Sequence, residues 1–462
     1  MNPFLELNPN ENFSSKSTYL SKDDIFLSIN GGAKYLNKND IQKAKYIYID
    51  EEDQLESNSK FKVIKGLNKN YLSWIEEYYQ IVHSNFNNIF ITGTNGKTSA
   101  VNFLSQVFKF NSLSFASTGT LGTFLNQKKY FHNELTTENP VFIRRLMSKC
   151  TKESIENIFF EASSIGIDQG RLEGLNINHA IITNISRDHI DYHKSMESYI
   201  EAKIKLISGN DLETVALNID DEIIRRRIKE LTSEVIFTVS DKNKNADIFF
   251  TLLNQDNDGS IEFKTETPWG RFVVQGKLIS KFNIYNILLT LPYFQSIHKD
   301  CDKFFDAVQT LNLPKGRLDQ VSKNIYVDYA HTPVALEEVC NNLQKKGAGL
   351  SIVFGAGGDR DEGKRKLMGE VADRYCNKIY ITNDNPRFED PNQISVMIQE
   401  GISKKNKTHI ELNRSLAIKK AIDELKDDEI LLIAGKGHEN SQIVGNRIIE
   451  YSDYEEIKKC IV

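Results

Sequence analysis

Cysteine is scarce in this chain. The five residues, Cys150, Cys301, Cys340, Cys376 and Cys460, are odd in number and scattered, and no pair has metal-ligand spacing. That excludes a disulfide framework and a cysteine-held metal, so reduced packing thiols in a cytoplasmic protein are expected. Long hydrophobic runs are also missing. The longest, such as Ile430 to Ala434, are strand-sized and far below the ~20 residues of a membrane-spanning helix. Met1-Asn2-Pro3-Phe4-Leu5-Glu6 holds no basic segment leading into an apolar core, so no secretory signal is expected. Neither sign of charge dominates, with 58 basic and 63 acidic residues and a net charge of -5. That balance offers no basic field for nucleic acid and no attraction to a membrane surface. There is no internal repeat and no low-complexity tract. Gly355-Ala356-Gly357-Gly358 is not a dinucleotide fingerprint, because Arg360 stands where the third glycine belongs.

What is present is a globular α/β pattern. The chain has 462 residues, 40% hydrophobic and 26% charged, enough for three domains of ~150 residues each. Its centre is Asn88 to Ser99. The apolar run Ile89 to Ile91 leads into Gly93-Thr94-Asn95-Gly96-Lys97-Thr98-Ser99, and Val101, Leu104, Val107 and Phe108 follow at helical spacing. A strand, a tight glycine loop and a helix N-terminus make an anion site from free backbone N–H groups and the helix dipole. Lys97 adds charge for β- and γ-phosphates, and the Thr98 hydroxyl can hold Mg²⁺. Ile91 stands where a standard P-loop has its first glycine, and Gly93 gives a loop two residues shorter. This is a P-loop variant.

The expected domains are 1–86, 87–312 and 313–462. In the first, Ile25 to Ile29 and Tyr46 to Ile49 read as strands, with Trp74, Tyr78 and Tyr79 beginning the connection onward. In the second, strands alternate with helices as in a parallel sheet. Asn157 to Phe160 ends at Glu161, and His179 to Thr183 runs on to His189. Ligand groups in open α/β sheets sit beyond the carboxyl ends of strands, so Glu161 and His189 are expected to face the phosphate loop's crevice. In the third, the strands Asn324 to Asp328, Leu350 to Gly355, Lys378 to Thr382 and Glu429 to Ala434 each end in a polar or glycine-rich loop. These four loops are expected to line one crevice of a doubly wound sheet.

The helix from Ser195 to about Gly209 carries an odd residue. Tyr199, Ile200, Ile204 and Ile207 form its apolar stripe, and Lys203 falls inside it, while Lys205 points to solvent. Spacing alone favours a lysine that snorkels its ammonium to the rim. The alternative is a buried amine of lowered pKa, able to react with CO₂ to a carbamate that binds Mg²⁺.

Taken together, these motifs resemble the Mur ligases over about Ser17 to Gly445, and within them the members that add the third residue of the muramoyl peptide. The resemblance implies a small N-terminal α/β domain binding the UDP-muramoyl substrate. It further implies a central P-loop-type ATPase domain with a mostly parallel sheet and a C-terminal Rossmann-like domain for the incoming amino acid. Gly93, Thr94, Asn95, Gly96, Lys97, Thr98 and Ser99 correspond to the ATP loop, joined by Asn283, Asn286, Arg317, Asp328 and His331. Thr136, Thr137, Ser163, Gln169 and Arg171 resemble contacts to UDP-N-acetylmuramoyl-L-Ala-D-Glu, although the family often has Pro where this chain has Glu138. Ser17 falls at a UDP-contacting serine whose usual Asp-Ser-Arg neighbours are here Lys16 and Thr18. Glu161, His189, Thr98 and Lys203 as a carbamate are implied ligands of two Mg²⁺ ions, which reverses the snorkelling expectation. Lys97, Lys203, His189 and Glu161 are the implied catalytic set.

Asp384-Asn385-Pro386-Arg387 resembles the segment of members that use meso-diaminopimelate. A planar guanidinium pairs bidentately with a distal carboxylate that L-lysine lacks. Arg360, Gly435 and Glu439 resemble further diaminopimelate contacts. The implied activity is ATP-dependent amide formation through an acyl phosphate in peptidoglycan precursor synthesis, by a monomer without nucleic-acid or membrane partners. Rival readings are the same ligation with L-lysine, a folylpolyglutamate synthase-like ligase, and a nucleotide-gated binding protein.

Overall fold

Short β-branched and aromatic runs bounded by polar turns become strands, and the amphipathic stretches between them become covering helices. A computed structural model describes residues 2–8, 10–53, 58–208, 212–231, 235–256, 259–344 and 349–461. Contacts group the chain into two compact units, one of Met1–Phe90 with Ser112–His179, the other of Ile91–Asn111 with Ala180–Val462.

The first unit opens with a small parallel sheet. Phe13–Ser14, Ile25–Leu27, Ile47–Asp50 and Phe61–Ile64 pair in that order. The helix Leu67–Tyr79 packs on it. Trp74, Tyr78 and Tyr79 sit on this helix, the last α-helix before residue 87, and pack partly buried against an aromatic core with Phe4, Phe13 and Tyr48. Further on, Ala116–Gly119 pairs parallel with Asn157–Glu161 and antiparallel with Gly122–Leu125, and the helix Pro140–Lys152 follows.

In the second unit, Thr214–Asn218, Ile236–Ser240 and Ile248–Gln255 run parallel, and Ile261–Thr267 with Gly270–Gly276 complete an antiparallel edge. The C-terminal sheet has the order Asp319–Ser322, Ile325–Asp328, Ile430–Ala434, Leu350–Phe354, Lys378–Ile381, Thr408–Ile410, parallel except at its first edge. Its central strands Ile325–Asp328, Ile430–Ala434 and Leu350–Phe354 are buried along their whole length. Separate cores lie on its two faces, one with Leu336, Met368 and Ile398, the other with Ala417, Ile418 and Ile457. That is the doubly wound arrangement the alternating pattern implied. The strands expected at 324–328, 350–355, 378–382 and 429–434 all form, one residue shorter each. The helix around Lys203 runs Met196–Ile204, shorter than expected, and Gly209 lies outside the described residues. Among the described residues no helix is long and apolar enough to cross a membrane.

Candidate active site

Two glycines shape the phosphate loop between the strand Asn87–Thr92 and the helix Lys97–Phe110. Gly93 (φ 145°) and Gly96 (φ 90°) take backbone conformations that L side chains rarely adopt. There is no room for a side chain either. A Cβ on Gly93 would lie 1.9 Å from Thr183 Oγ1, and one on Gly96 would lie 2.3 Å from Asn286 Oδ1. The loop is braced from the side by the segment after the strand His179–Ile182. Thr94 N donates to Asn184 O at 2.8 Å, Asn95 N to Asn184 Oδ1 at 3.0 Å, and Thr183 Oγ1 to Asn95 O at 2.6 Å. The Thr94 hydroxyl lies 2.8 Å from Tyr199 OH and accepts from Ser186 N at 2.9 Å. Lys97 folds back so that Nζ donates to Gly93 O at 2.7 Å and Thr94 O at 2.9 Å. Gly96→Ala should raise the KM for ATP about tenfold or more, since left-handed strain alone costs ~1–2 kcal/mol and Asn286 must also move. Steady-state kinetics at varied ATP would check it, and an unchanged KM would show that this loop does not seat the nucleotide.

Lys203 is 1% exposed. The snorkelling expected from spacing is therefore overturned: its helix packs the amine inward, where Nζ donates to the Gly93 carbonyl at 2.9 Å. Burial, with the Lys97 ammonium nearby, pushes the amine well below its ordinary pKa. Two lysines thus converge on one loop carbonyl.

Next to this loop sits a charge cluster. The buried Asp188 carboxylate lies 3.4 Å from Lys364 Nζ, 3.5 Å from His189 Nε2 and 3.6 Å from His331 Nε2. Burial opposes its ionisation, but the Lys364 ammonium and the two imidazoles outweigh that and hold it well below the usual carboxylate range. Burial pushes the His189 imidazole down to about 4, so its ring is neutral and carries a lone pair. Arg187 makes a bidentate pair with Asp361, both bonds 2.8 Å, and Arg317 NH2 reaches Thr98 Oγ1 at 3.3 Å.

The donor set fits Mg²⁺ bound mainly through phosphates. Among the described residues no group of three or more His, Cys, Asp or Glu could hold a metal by itself. Mg²⁺ ordinarily keeps waters and takes only one or two protein ligands beside substrate phosphates. The Thr98 hydroxyl, a hard oxygen donor, suits that role.

A cavity of about 350 Å³ opens beside Gly96 and Ser99, lined also by Asn283, Asn286, Arg317 and Asp328. It falls in the range of small-molecule sites, about 300–1,000 Å³. Asn283 Nδ2 donates to Leu278 O at 2.8 Å, which fixes the amide. Asp328 holds the chain turn, accepting from Leu318 N and Ala330 N, both at 2.6 Å. Ser99 and Asn95 also face this cavity.

At the carboxyl ends of the C-terminal strands, the four expected loops come together. Lys436 is fully buried, and its Nζ donates to Glu439 Oε2 at 2.8 Å and Asn385 Oδ1 at 3.0 Å. Asn385 Nδ2 in turn donates to Glu439 at 3.0 Å. Gly435 (φ 107°) brings its backbone against the carboxylate of Asp384, which a Cβ would meet at 2.7 Å. Gly358 lies under the Pro386 carbonyl, 1.9 Å from where its Cβ would be. Arg387 is half-buried, and its NH1 donates to the carbonyls of Gly358 at 2.8 Å and Asn385 at 3.4 Å. Burial, then the neighbouring Arg360 guanidinium, lowers its pKa. Arg360 itself is part-exposed, 3.7 Å from Asp191.

In the first unit a second polar network forms. Glu161 accepts from Thr120 N at 2.9 Å and Thr120 Oγ1 at 3.1 Å, and Thr120 Oγ1 lies 3.2 Å from Thr136 Oγ1. Thr137 Oγ1 donates to Glu161 O at 2.8 Å and lies 3.0 Å from Ser163 Oγ. Arg171 donates to Thr137 O at 2.8 Å and to Gln169 Oε1 at 2.6 Å. Ser17 opens a short 3-10 turn, Ser17–Tyr19, and makes no part of this network.

Residues 91–292 match the family model described as the Mur ligase middle domain, and 316–437 the one described as the Mur ligase, glutamate ligase domain. A protein of Rickettsia bellii named UDP-N-acetylmuramoyl-L-alanyl-D-glutamate–2,6-diaminopimelate ligase is 35% identical, covering 96% of this chain and 94% of its own. The chain belongs to the Mur ligase family. A Coxiella burnetii protein of the same name is 36% identical to this Mur ligase over 80% of this chain and 78% of its own. A solved structure titled as that ligase superposes with a TM-score of 0.61 at 30% identity, covering 97% of this chain and 94% of the other. As a Mur ligase, the enzyme is an ATP-dependent carboxylate–amine ligase that forms ADP and acts on small molecules.

Several residues of this Mur ligase's site went unassigned in the sequence. Asp188 directly precedes His189 and Lys436 directly follows Gly435, and only their burial reveals them as hubs. Arg187, Asp361 and Lys364 carry no local signal, because their partners are 174 and 176 positions away in the chain.

Proposed function

We propose that this Mur ligase adds meso-2,6-diaminopimelate to UDP-N-acetylmuramoyl-L-alanyl-D-glutamate. The observation that carries the reading is Arg387. It is half-buried beside Arg360, and among the described residues no carboxylate oxygen lies within ion-pair distance of it. Two neighbouring guanidiniums favour a ligand with a carboxylate at its far end, which diaminopimelate has and L-lysine lacks. The names of the Rickettsia and Coxiella relatives support the same substrate. Residues 1–86 bind the UDP-muramoyl group, 87–312 ATP and 313–462 the amino acid, in a cytoplasmic monomer.

In the first half-reaction the γ-carboxylate oxygen of D-Glu attacks the γ-phosphorus of ATP, and the bond to the β-bridging oxygen breaks to release ADP. In the second, the amine of diaminopimelate attacks the acyl carbon, and phosphate leaves from the tetrahedral intermediate. A carboxylate and a triphosphate repel, so the site must concentrate positive charge. Lys97 releases the loop carbonyls to meet the β- and γ-phosphates, while the N–H groups at the Gly96–Lys97 helix start hold the same oxygens. Arg317, beside Thr98, adds a guanidinium to the phosphates, and Asn283, Asn286, Asp328 and His331 bound the nucleoside side. Mg²⁺ would supply the remaining charge neutralisation, with Thr98, His189 and the Lys203 carbamate as its ligands in the second unit and Glu161 the carboxylate candidate in the first. Lys203 suits carbamate formation: its lowered pKa favours the neutral amine, whose lone pair can add to CO₂ with loss of one proton. Thr136, Thr137, Ser163, Gln169, Arg171 and Ser17 orient the muramoyl substrate. Asp384, Asn385, Pro386, Gly435 and Glu439 shape the amino-acid pocket, with Glu439 facing the distal ammonium.

The test is phosphate release from ATP with the UDP-muramoyl dipeptide and, separately, diaminopimelate, L-lysine or L-glutamate. Release is expected with diaminopimelate alone. Equal release with L-lysine would remove the Arg387 argument, release with L-glutamate only would favour folylpolyglutamate-type ligation, and no release would leave a nucleotide-gated binding protein.

A further inference from the structure

The segment Asn133 to Asn139, which carries Thr136 and Thr137, is anchored at both ends. Asn133 Nδ2 donates to Thr118 Oγ1 and Gly119 O, both at 3.0 Å. Asn139 caps the helix Pro140–Lys152 by accepting from Phe142 N at 2.9 Å. Between these anchors Thr136 and Thr137 are held to Thr120, Glu161, Ser163 and Arg171, and the segment has a further attachment, to the N-terminal 3-10 turn. Tyr19 OH donates to Glu138 Oε1 at 2.6 Å and accepts from Glu134 N at 2.8 Å, while Leu135 N donates to the same Glu138 oxygen at 3.2 Å. Both side chains are buried, Tyr19 at 6% exposure and Glu138 at 1%. The Tyr19 ring is clamped edge-on against Phe131 (4.7 Å) and Phe142 (5.8 Å), and Lys16 Nζ lies 4.7 Å from its centroid. Lys16 also pairs with Glu134.

A packing role alone does not account for this arrangement. Glu138 Oε2 is buried with no hydrogen-bond partner, a costly state for a carboxyl whose position could be filled by an apolar residue. What the carboxyl achieves is geometric. One oxygen gathers Tyr19 and Leu135, so the turn bearing Ser17 and the segment bearing Thr136 and Thr137 are fixed to each other. We propose that Tyr19 and Glu138 are positioning residues for the UDP-N-acetylmuramoyl substrate. The pair joins Ser17, two residues before Tyr19, to Thr136 and Thr137, two residues and one residue before Glu138, into a single binding surface. The inference rests on the substrate reading above and adds two residues that touch the binding groups and not the substrate.

Tyr19→Phe keeps the clamped ring and removes only the hydroxyl. It should raise the KM for the UDP-muramoyl dipeptide about tenfold, the scale of one lost hydrogen bond to a carboxyl. The kcat, and the KM values for ATP and diaminopimelate, should stay within about twofold. Glu138→Ala should do the same, the double variant should be no worse than either alone, and Glu138→Gln, which keeps the accepting oxygen, should restore the unsubstituted KM. An unchanged dipeptide KM in Tyr19→Phe would overturn the proposal. So would a parallel rise in all three KM values, which marks a general lesion. Calorimetric titration of the unsubstituted enzyme with the UDP-muramoyl dipeptide separates the two levels: no binding there counts against the substrate reading itself.

Discussion

Lys203→Ala should lower kcat on the order of a thousandfold or more, at saturating concentrations of all three substrates. The amine sits inside the protein, on the Gly93 carbonyl and beside Lys97. Its removal takes away the carbamate oxygens from the proposed Mg²⁺ site and a brace from the phosphate loop. Two further readings tell those losses apart. Short carboxylic acids such as acetate or propionate should restore part of the kcat in the Ala variant, because a small anion can enter the space left by the carbamate, whereas a missing loop brace would not respond to them. In the unsubstituted enzyme, ¹³C-bicarbonate should give a carbamate carbon signal that disappears in the variant. Full activity of Lys203→Ala without additives would remove the carbamate from the mechanism.

Arg387→Ala should act on a different substrate. The KM for diaminopimelate should rise about 100-fold, since truncating one partner of a desolvated charge pair costs ~2–5 kcal/mol. The kcat and the KM for ATP should change little, because the proposed role of the guanidinium is at the far end of the amino acid and not at the reacting amine. Arg387→Lys should recover only a small part, as an ammonium cannot reproduce the two-pronged carboxylate geometry. Discrimination against L-lysine should shrink in the Ala variant, since the pocket then gains nothing from the distal carboxylate. A diaminopimelate KM equal to that of the unsubstituted enzyme would rule out the assignment.

These two lysine and arginine sites were legible to different degrees. Arg387 was singled out by the resemblance of four consecutive residues, Asp384 to Arg387, to a family segment, a signal that does not depend on distant partners. Lys203 was half-readable. Helical spacing placed it on the apolar face beside Tyr199 and Ile204, and Lys205 on the solvent face, as found. Spacing alone still favoured an ammonium reaching water. The helix is instead packed so closely on the phosphate loop that no path to the rim exists, and depth of burial is a property of the fold. The Trp74, Tyr78 and Tyr79 cluster shows the same limit. Their packing against the core of the small sheet of Ile25–Leu27 and Ile47–Asp50 depends on a surface that only the fold assembles.

What the sequence determined by itself was everything carried by short-range pattern. That includes the alternation of apolar runs and glycine turns that makes two α/β sheets, the shortened phosphate loop, and the motifs at strand ends. Each depends on backbone geometry and side-chain chemistry within a few residues, so it survives reading in one dimension. What only the tertiary structure decided was which groups share a carboxylate or a carbonyl. Asp188 gathers His189, His331 and Lys364, Gly93 O receives Lys97 and Lys203, and Glu138 ties down Tyr19. These are contacts between residues separated by up to 176 positions. They arise from how layers pack, and burial then sets the charge state on which the chemistry depends.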